Sequence, residues 1–233
     1  MLKLENCTMR TDEFALHADL SISQGTRVAV IGPSGAGKTT LIEAIAGFRD
    51  LTSGRIRWQG QDLGDLPPGQ RPIAMLFQDG NLFAHLTAAQ NVALGLHPRR
   101  RLSKEERAQV EDALTRVGLS GMGGRKPAAL SGGQQSRVAL ARVLVQRRDI
   151  LLLDEPFAAL GPALKAEMLD LVAALVAETG TTLLMVSHDP ADARRIADQT
   201  VLVLDGHALP PQSTTEVLDN PPDALRDYLG TAG

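Results

Sequence analysis

The 233-residue chain is long enough for one α/β domain with a buried core, and its net charge of −3 without a long basic block argues against a nucleic-acid partner. Its one cysteine, Cys7, cannot form an internal disulfide, which favours a reducing compartment. The amino terminus lacks a signal-peptide pattern, and no apolar run approaches the ~20 residues that span a bilayer, so any role at a membrane requires a partner protein.

Strand-like alternation runs through the first quarter of the chain. It predicts strands at residues 2–4, 15–22, 27–31 and 55–58. Between the last two, KTTLIEAIAG carries an apolar stripe at helical spacing and stops at Gly47, a residue that favours helix C-termini. This region therefore predicts a strand, a glycine-rich turn and a helix in succession.

Helical periodicity replaces the strand pattern in residues 86–148. Ser103, followed three residues later by Glu106, predicts a capping box that begins one of the helices in this segment. We expect the segment to form a helical subdomain inserted into a core made of residues 1–85 and 149–233.

The last third of the chain returns to alternating strands and helices. ILLLD and TTLLMVS are nearly continuous apolar runs, typical of strands buried on both faces of a parallel sheet. Pro162 is suited to begin a helix after the first run, and Asp189 to cap a helix that begins at Pro190 after the second. VLVLDG predicts a late strand, and the fold class is therefore α/β.

The stretch GPSGAGKTT fits the pattern G-x-x-x-x-G-K-S/T and lies between a predicted strand and a predicted helix, the context that this pattern requires. Its glycines allow backbone N–H groups to converge on phosphate oxygens, and the helix N-terminus adds positive potential. We expect Lys38 to reach the β and γ phosphates of ATP and Thr39 to bind Mg²⁺. The predicted ATP-binding residues of this phosphate loop, residues 32–40, are Gly32, Pro33, Ser34, Gly35, Ala36, Gly37, Lys38, Thr39 and Thr40.

Polar residues follow three apolar strands at the carboxyl edge of the predicted sheet, where open α/β sheets bind ligands. Asp154 closes ILLLD and is the expected Mg²⁺ partner, and Glu155 directly after it is suited to act as a general base. His188 follows LLMVS and Gln78 follows IAMLF. Alone, an Asp-Glu pair is more often a helix start or a surface turn, and a histidine such as His188 is more often a residue at the start of a helix. Beside a phosphate loop they predict catalysis by Glu155, His188 and Gln78, and metal binding by Thr39, Gln78 and Asp154.

The sequence LSGGQ begins a second glycine-rich turn before a helix. Ser131 is suited to cap that helix, and the glycines expose amide groups, which favours an anion. The turn has no lysine or adjacent metal ligand, so it cannot bind a triphosphate well on its own. The economical geometry is a head-to-tail pair in which it completes the site of the other chain. The residues predicted to bind ATP in trans, here called the second glycine turn, are Ser131, Gly132, Gly133 and Gln134.

The phosphate loop, Gln78, LSGGQ, ILLLDEP and His188 occur in the order and at the spacing of the ATP-binding subunits of ABC transporters, which the chain resembles over nearly its whole length. RPIAMLFQDGNLFAHLTAAQNVALGL is similar to the importer branch, and GPSGAGKTTL and LLMVSHDPADARRIAD are most similar to bacterial thiamine importers. Importers of iron, molybdate, sulfonate or polyamine share most of these motifs. A soluble, non-transport ABC ATPase would need a long coiled-coil insertion or a second cassette.

The resemblance implies a P-loop NTPase (RecA-like) core with an N-terminal antiparallel β subdomain and an inserted helical subdomain. It implies an ATP hydrolase that uses Mg²⁺ and forms a homodimer with two composite sites. It further implies transmembrane permease subunits, contacted by the segment after Gln78, and a periplasmic substrate-binding protein reached through the complex. The chain would then lie peripherally on the cytoplasmic face of the bacterial inner membrane.

Two positions depart from the family pattern. Gly161 stands where the family has an aspartate that helps to couple the two sites, so the resemblance implies weakened coupling. Thr11 stands near the position of the usual adenine-stacking tyrosine, and Phe14 is the candidate substitute.

Overall fold

The computed structural model describes residues 1–10, 14–77, 81–96, 101–223 and 225–226. The strands are β1 (Leu2–Arg10), β2 (Ala15–Ile22), β3 (Arg27–Ile31), β4 (Ser53–Trp58), β5 (Gln61–Asp62), β6 (Ile73–Leu76), β7 (Ile150–Asp154), β8 (Thr182–Val186), β9 (Gln199–Leu204), β10 (His207–Ala208) and β11 (Gln212–Ser213). The helices are α1 (Lys38–Ala46), α2 (Ala88–Ala93), α3 (Lys104–Arg116), α4 (Gly132–Leu144), α5 (Pro162–Thr179), α6 (Pro190–Ile196) and α7 (Thr214–Asp219).

The described strands form one sheet in the order β5-β4-β1-β2-β10-β9-β3-β8-β7-β6, with β11 paired to β9. The strands β9, β3, β8, β7 and β6 run parallel to one another. At the other end of the sheet, β5, β4, β1 and β2 pair in antiparallel fashion. The predicted α/β class with an antiparallel amino-terminal part is confirmed.

The apolar runs of β7 and β8 lie in the centre of the parallel region, and their residues are buried as the sequence predicts. Val186, the last residue of β8, pairs with Val30 of β3 on one side and with Asp154 of β7 on the other. The loops that follow β3, β7 and β8 therefore leave the sheet side by side at its carboxyl edge. These three loops, with the first turn of α1 and the end of β7, carry most of the predicted site residues.

Helix ends follow the capping signals of the sequence. Gly47 ends α1 in the left-handed conformation, with φ of 86°. Ser103 and Glu106 make both bonds of the capping box of α3. The helix predicted to begin at Pro162 is α5, and the Asp189 side chain accepts from the Ala191 amide at the start of α6.

Two apolar cores lie on opposite faces of the sheet, because alternate residues of β7 belong to each. Leu152 joins α1 and the antiparallel strands, whereas Leu151 and Leu153 join α2, α3, α4 and α5. A smaller cluster lies beneath α6 and α7. Among the described residues, no helix is both long and apolar enough to cross a lipid bilayer.

Candidate active site

The phosphate loop connects β3 to α1. Gly35 and Gly37 have φ of 77° and 102°, a conformation that residues with an L side chain rarely adopt. A Cβ at Gly37 would lie 2.9 Å from Cε2 of Phe14, and a Cβ at Gly32 would meet the carbonyl oxygen of Val203 in β9. The motif therefore needs glycine here both for backbone conformation and for close packing. Phe14, the candidate adenine platform, lies against this loop.

Lys38, the first residue of α1, is only 8% exposed. Its Nζ donates to the carbonyl oxygens of Gly32, at 2.8 Å, and Pro33, at 2.7 Å. Burial lowers the pKa of Lys38, and the carboxylates of Glu155 and Asp154 oppose that shift. An ammonium group has three protons, so one remains for an anion bound over the loop.

Asp154 and Thr39 meet where β7 ends beside the start of α1. The Thr39 hydroxyl donates to Oδ1 of Asp154 at 3.3 Å. Burial raises the pKa of Asp154, while the Thr39 hydrogen bond lowers it and the neighbouring Glu155 raises it further. A hydroxyl and a carboxylate are hard oxygen donors, and Mg²⁺ typically takes one or two such protein ligands and completes its shell with phosphate and water. These two residues therefore fit the predicted magnesium ion.

Glu155 has a φ of 45°, unusual for a non-glycine residue, and its amide donates to the carbonyl oxygen of Val186 at 3.2 Å. Such backbone outliers cluster at functional sites. Its Oε2 lies 3.2 Å from Nδ1 of His188, and a carboxylate oxygen accepts, so Nδ1 donates in this contact. The Glu155 side chain is 27% exposed and that of His188 is 56% exposed. The pair therefore stands at the open edge of the sheet, beside Asp154.

The second glycine turn is built as a capped helix start. Ser131 Oγ accepts from the Gln134 amide at 3.3 Å, and Gln134 Oε1 accepts from the Ser131 amide at 3.0 Å. Gly132 is exposed and a Cβ there would meet nothing within 4 Å, whereas a Cβ at Gly133 would meet the side chain of Leu164 in α5. One glycine faces open space and the other faces the protein.

The chain keeps its two glycine-rich turns apart. The phosphate loop leads into α1 on one face of the sheet, and the second glycine turn leads into α4 on the other. Among the hydrogen bonds of the described residues, none joins Ser131 or Gln134 to the phosphate loop. What the structure does bring together is Lys38, the Thr39 and Asp154 pair, and the Glu155 and His188 pair.

Three predicted features need separate mention. Gln78 and Thr11 lie outside the described residues, and the role of Gln78 stays a prediction. Gly161 is the residue before α5, with no side-chain cap, and a Cβ there would meet nothing within 4 Å. An aspartate would therefore fit at this position. Sequence reasoning missed the ion pair between Lys165 of α5 and Asp192 of α6; no sequence pattern links residues that far apart.

These motifs on this fold define an ATP-binding cassette, and a family model described as "ABC transporter" matches residues 16–158. The chain belongs to the ABC transporter family, as its motifs predict.

Curated relatives share most of the chain. It is 65% identical over 230 residues to the thiamine import ATP-binding protein ThiQ of Ruegeria sp. (strain TM1040), covering 99% of this chain and 100% of that protein. It is 59% identical over 230 residues to the protein of that name from Cereibacter sphaeroides, with the same coverage of both chains. A solved dimeric ATP-binding cassette in a post-hydrolysis state, bound to ADP and Pi, is 31% identical with a TM-score of 0.78, over 92% of this chain and 99% of that one.

Proposed function

We propose that the chain is the ATP-hydrolysing subunit that energises a thiamine importer. The observation that carries the activity is that the loops after three adjacent strands place Lys38, the Thr39 and Asp154 pair, and the Glu155 and His188 pair at one sheet edge. Support for the substrate comes from relatives named for thiamine import that are 65% and 59% identical over nearly the whole chain.

In this proposal the triphosphate lies over the phosphate loop. The loop amides and the N-terminus of α1 face the phosphates, and Lys38 supplies a positive charge against them. Thr39 and Asp154, with Gln78 from the neighbouring segment, would hold Mg²⁺, which neutralises charge that develops on the phosphate oxygens. Phosphoryl transfer depends chiefly on such positioning and electrostatics.

Glu155 is the proposed general base. It accepts a proton from the attacking water as the water oxygen bonds to the γ-phosphorus and the bond to the β–γ bridging oxygen breaks. Glu155 Oε2 lies 3.2 Å from His188 Nδ1, which supports a role for His188 in holding the carboxylate, and in this proposal the exposed His188 ring would contact the γ-phosphate. The products are ADP and inorganic phosphate.

The second glycine turn completes the site of a partner copy. Its exposure, its lack of a lysine and its distance in the fold from the phosphate loop support this assignment. We assign residues 86–148 to a helical subdomain, which carries this turn, and residues 1–85 and 149–233 to the core. Two dimeric structures of a solved cassette of this fold support a homodimer.

Aromatic side chains flank the segment of Gln78 and are proposed to contact the permease. Phe48, Phe77 and Phe83 are 56%, 37% and 50% exposed, and the rings of Phe48 and Phe77 lie 5.7 Å apart. Exposed aromatic groups of this kind mark interaction sites. Arg142 of α4 donates to the Asn81 carbonyl oxygen at 2.7 Å, so the helix of the second glycine turn is tied to this segment. This surface would seat the chain peripherally on the cytoplasmic side of its membrane partner.

The test is ATP hydrolysis by the chain reconstituted in vesicles with its permease and periplasmic binding protein. We expect thiamine to stimulate hydrolysis and to enter the vesicles. If iron, molybdate, sulfonate or polyamine stimulated hydrolysis instead, the role in an importer would stand, but thiamine would be wrong as its substrate. Hydrolysis that is indifferent to the permease would favour a soluble ABC ATPase and contradict the proposal.

A further inference from the structure

A half-buried cation connects α5 to the turn that carries His188. Lys165 lies in the first turn of α5, directly after the loop that begins at Glu155, and its side chain is only 17% exposed. Its Nζ lies 2.9 Å from Oδ2 of Asp189 and 2.8 Å from Oδ1 of Asp192. One ammonium group therefore joins two carboxylates of the following turn and helix.

Both neighbours of His188 are fastened to this group of charges. Ser187 Oγ donates to the second carboxylate oxygen of Asp192 at 2.6 Å, and the Asp189 amide donates to Ser187 Oγ at 3.1 Å. Oδ1 of Asp189 accepts from the Ala191 amide and caps α6. The residues on either side of His188, Ser187 and Asp189, are thus connected to Lys165, Ser187 through Asp192 and Asp189 directly.

This cluster of charges is partly shielded from solvent, which strengthens the interactions between its members. Ser187 is 5% exposed and Asp192 is 8% exposed. Burial opposes the charge of Lys165, yet its hydrogen bonds to Asp192 and Asp189 raise its pKa overall, and Lys165 holds the pKa of Asp189 below its ordinary value. Removing one partner from such a group leaves charge without compensation, which costs far more than breaking an exposed pair.

We propose that Lys165 is a positioning residue for hydrolysis, which holds the turn of Ser187 and Asp189 so that His188 keeps its hydrogen bond to Glu155. This inference rests on the proposed ATPase function. Without the Lys165 cation, the carboxylates of Asp189 and Asp192 repel each other, and the turn between them opens. His188 then leaves the position from which it holds Glu155.

The experiment compares Lys165→Met with Lys165→Arg in the reconstituted complex. A misplacement of about 1 Å costs on the order of a hundredfold in rate, so we expect Lys165→Met to lower kcat by roughly tenfold to a hundredfold. The KM for ATP should change by less than about threefold, because Lys165 does not reach the phosphate loop. Lys165→Arg keeps the charge and should restore most of kcat.

The matched control is Arg195→Met. Arg195 binds Asp170 at 2.7 and 2.6 Å, so it also bridges α6 and α5, but its side chain is exposed and the pair lies away from His188. The Arg195→Met variant should hydrolyse ATP at the wild-type rate. If Arg195→Met lost as much kcat as Lys165→Met, Lys165 would only connect α5 to α6 and would not specifically position His188. That result would overturn the inference.

A second readout is the same substitution in a His188→Ala background. If Lys165 acts through His188, the double variant should be no slower than His188→Ala alone. An equal further loss of kcat in that background, or wild-type kcat in Lys165→Met, would overturn the inference. If Lys165→Met does not fold, Asp189→Asn provides the test, because an amide oxygen still caps α6 while one ion pair is lost. Absence of hydrolysis by wild type and Arg195→Met alike would reject the proposed function itself.

Discussion

The phosphate loop and the second glycine turn both begin a helix, yet they are built differently. The phosphate loop uses glycines with positive φ, encloses Lys38 and lies beside two carboxylates. The second glycine turn has ordinary helical glycines, a capping box and no cation of its own. The comparison shows that a helix N-terminus alone does not define a phosphate site. Enclosure and a buried charge distinguish the first turn, which we propose holds the phosphates, from the exposed second turn, which we propose covers the site of a partner copy.

The largest expected effect concerns Glu155, one of the two carboxylates beside the phosphate loop. Glu155→Gln keeps the shape of the side chain but removes the base, so we expect hydrolysis to fall by about a hundredfold or more. ATP affinity should be retained, because Lys38 and the phosphate loop are unchanged. Single-turnover hydrolysis and equilibrium nucleotide binding measure the two effects. Near-normal turnover would remove Glu155 from its proposed role.

A mixing experiment tests whether the two regions work on the same nucleotide from different chains. Lys38→Ala loses hydrogen bonds from a charged group, worth about 1.5 to 3 kcal/mol each, and should bind ATP at least about tenfold more weakly. Ser131→Arg should bind ATP normally and hydrolyse it poorly.

Mixed dimers of these two inactive variants retain one intact pairing of phosphate loop and second glycine turn. We therefore expect ATPase activity to return when they are combined, in proportion to mixed dimers detected by a tag on one chain. No recovery, with mixed dimers present, would mean that each chain uses its own second glycine turn.

A smaller effect distinguishes the two glycines of the second glycine turn. Gly133→Ala adds a methyl group against Leu164 and should destabilise the fold by about 1 kcal/mol, which lowers Tm by roughly 2 to 4 °C. Gly132→Ala is the matched control, since its Cβ would stand in open space, and its Tm should be unchanged or slightly higher. Thermal unfolding of the nucleotide-free chain measures both. Equal Tm values would contradict the packing described for Gly133.

The smallest expected effect concerns Asp154, the other carboxylate beside the phosphate loop. Burial raises the pKa of Asp154 above its ordinary 3.8, so ionised Asp154 costs stability at neutral pH. Asp154→Asn should therefore raise the Tm of the nucleotide-free protein by at most about a few degrees near pH 7. That advantage should disappear as the pH falls through the raised pKa toward 3.8, where wild-type Asp154 becomes protonated. A Tm difference that is independent of pH would contradict this origin.

Sequence reasoning predicted most of what is local. The capping box of Ser103 and Glu106, the cap at Ser131, the helix end at Gly47 and the buried strands follow from short patterns that physical chemistry interprets directly. The predicted first strand at residues 2–4 was too short, because the pairing shifts between Leu4 and Cys7 and Asn6 takes a φ of 47°. That irregularity interrupts the alternation on which strand prediction depends.

Contacts between distant segments were the part that the sequence could not supply. Lys165 meets Asp189 and Asp192 only because α5 and α6 pack together on the fold. The contact of Gly133 with Leu164 likewise joins segments that share no pattern. Motifs therefore predict which groups perform chemistry, and the fold shows which side chains contact them.

The first turn of α5 has neighbours in two directions. Leu164 packs beneath Gly133, and the adjacent Lys165 fastens the turn of His188. In the proposed head-to-tail pair, His188 would serve the nucleotide of its own chain and Gly133 that of the other. In that arrangement a shift of this single turn would be felt at both nucleotides, through contacts that involve no side chain at position 161.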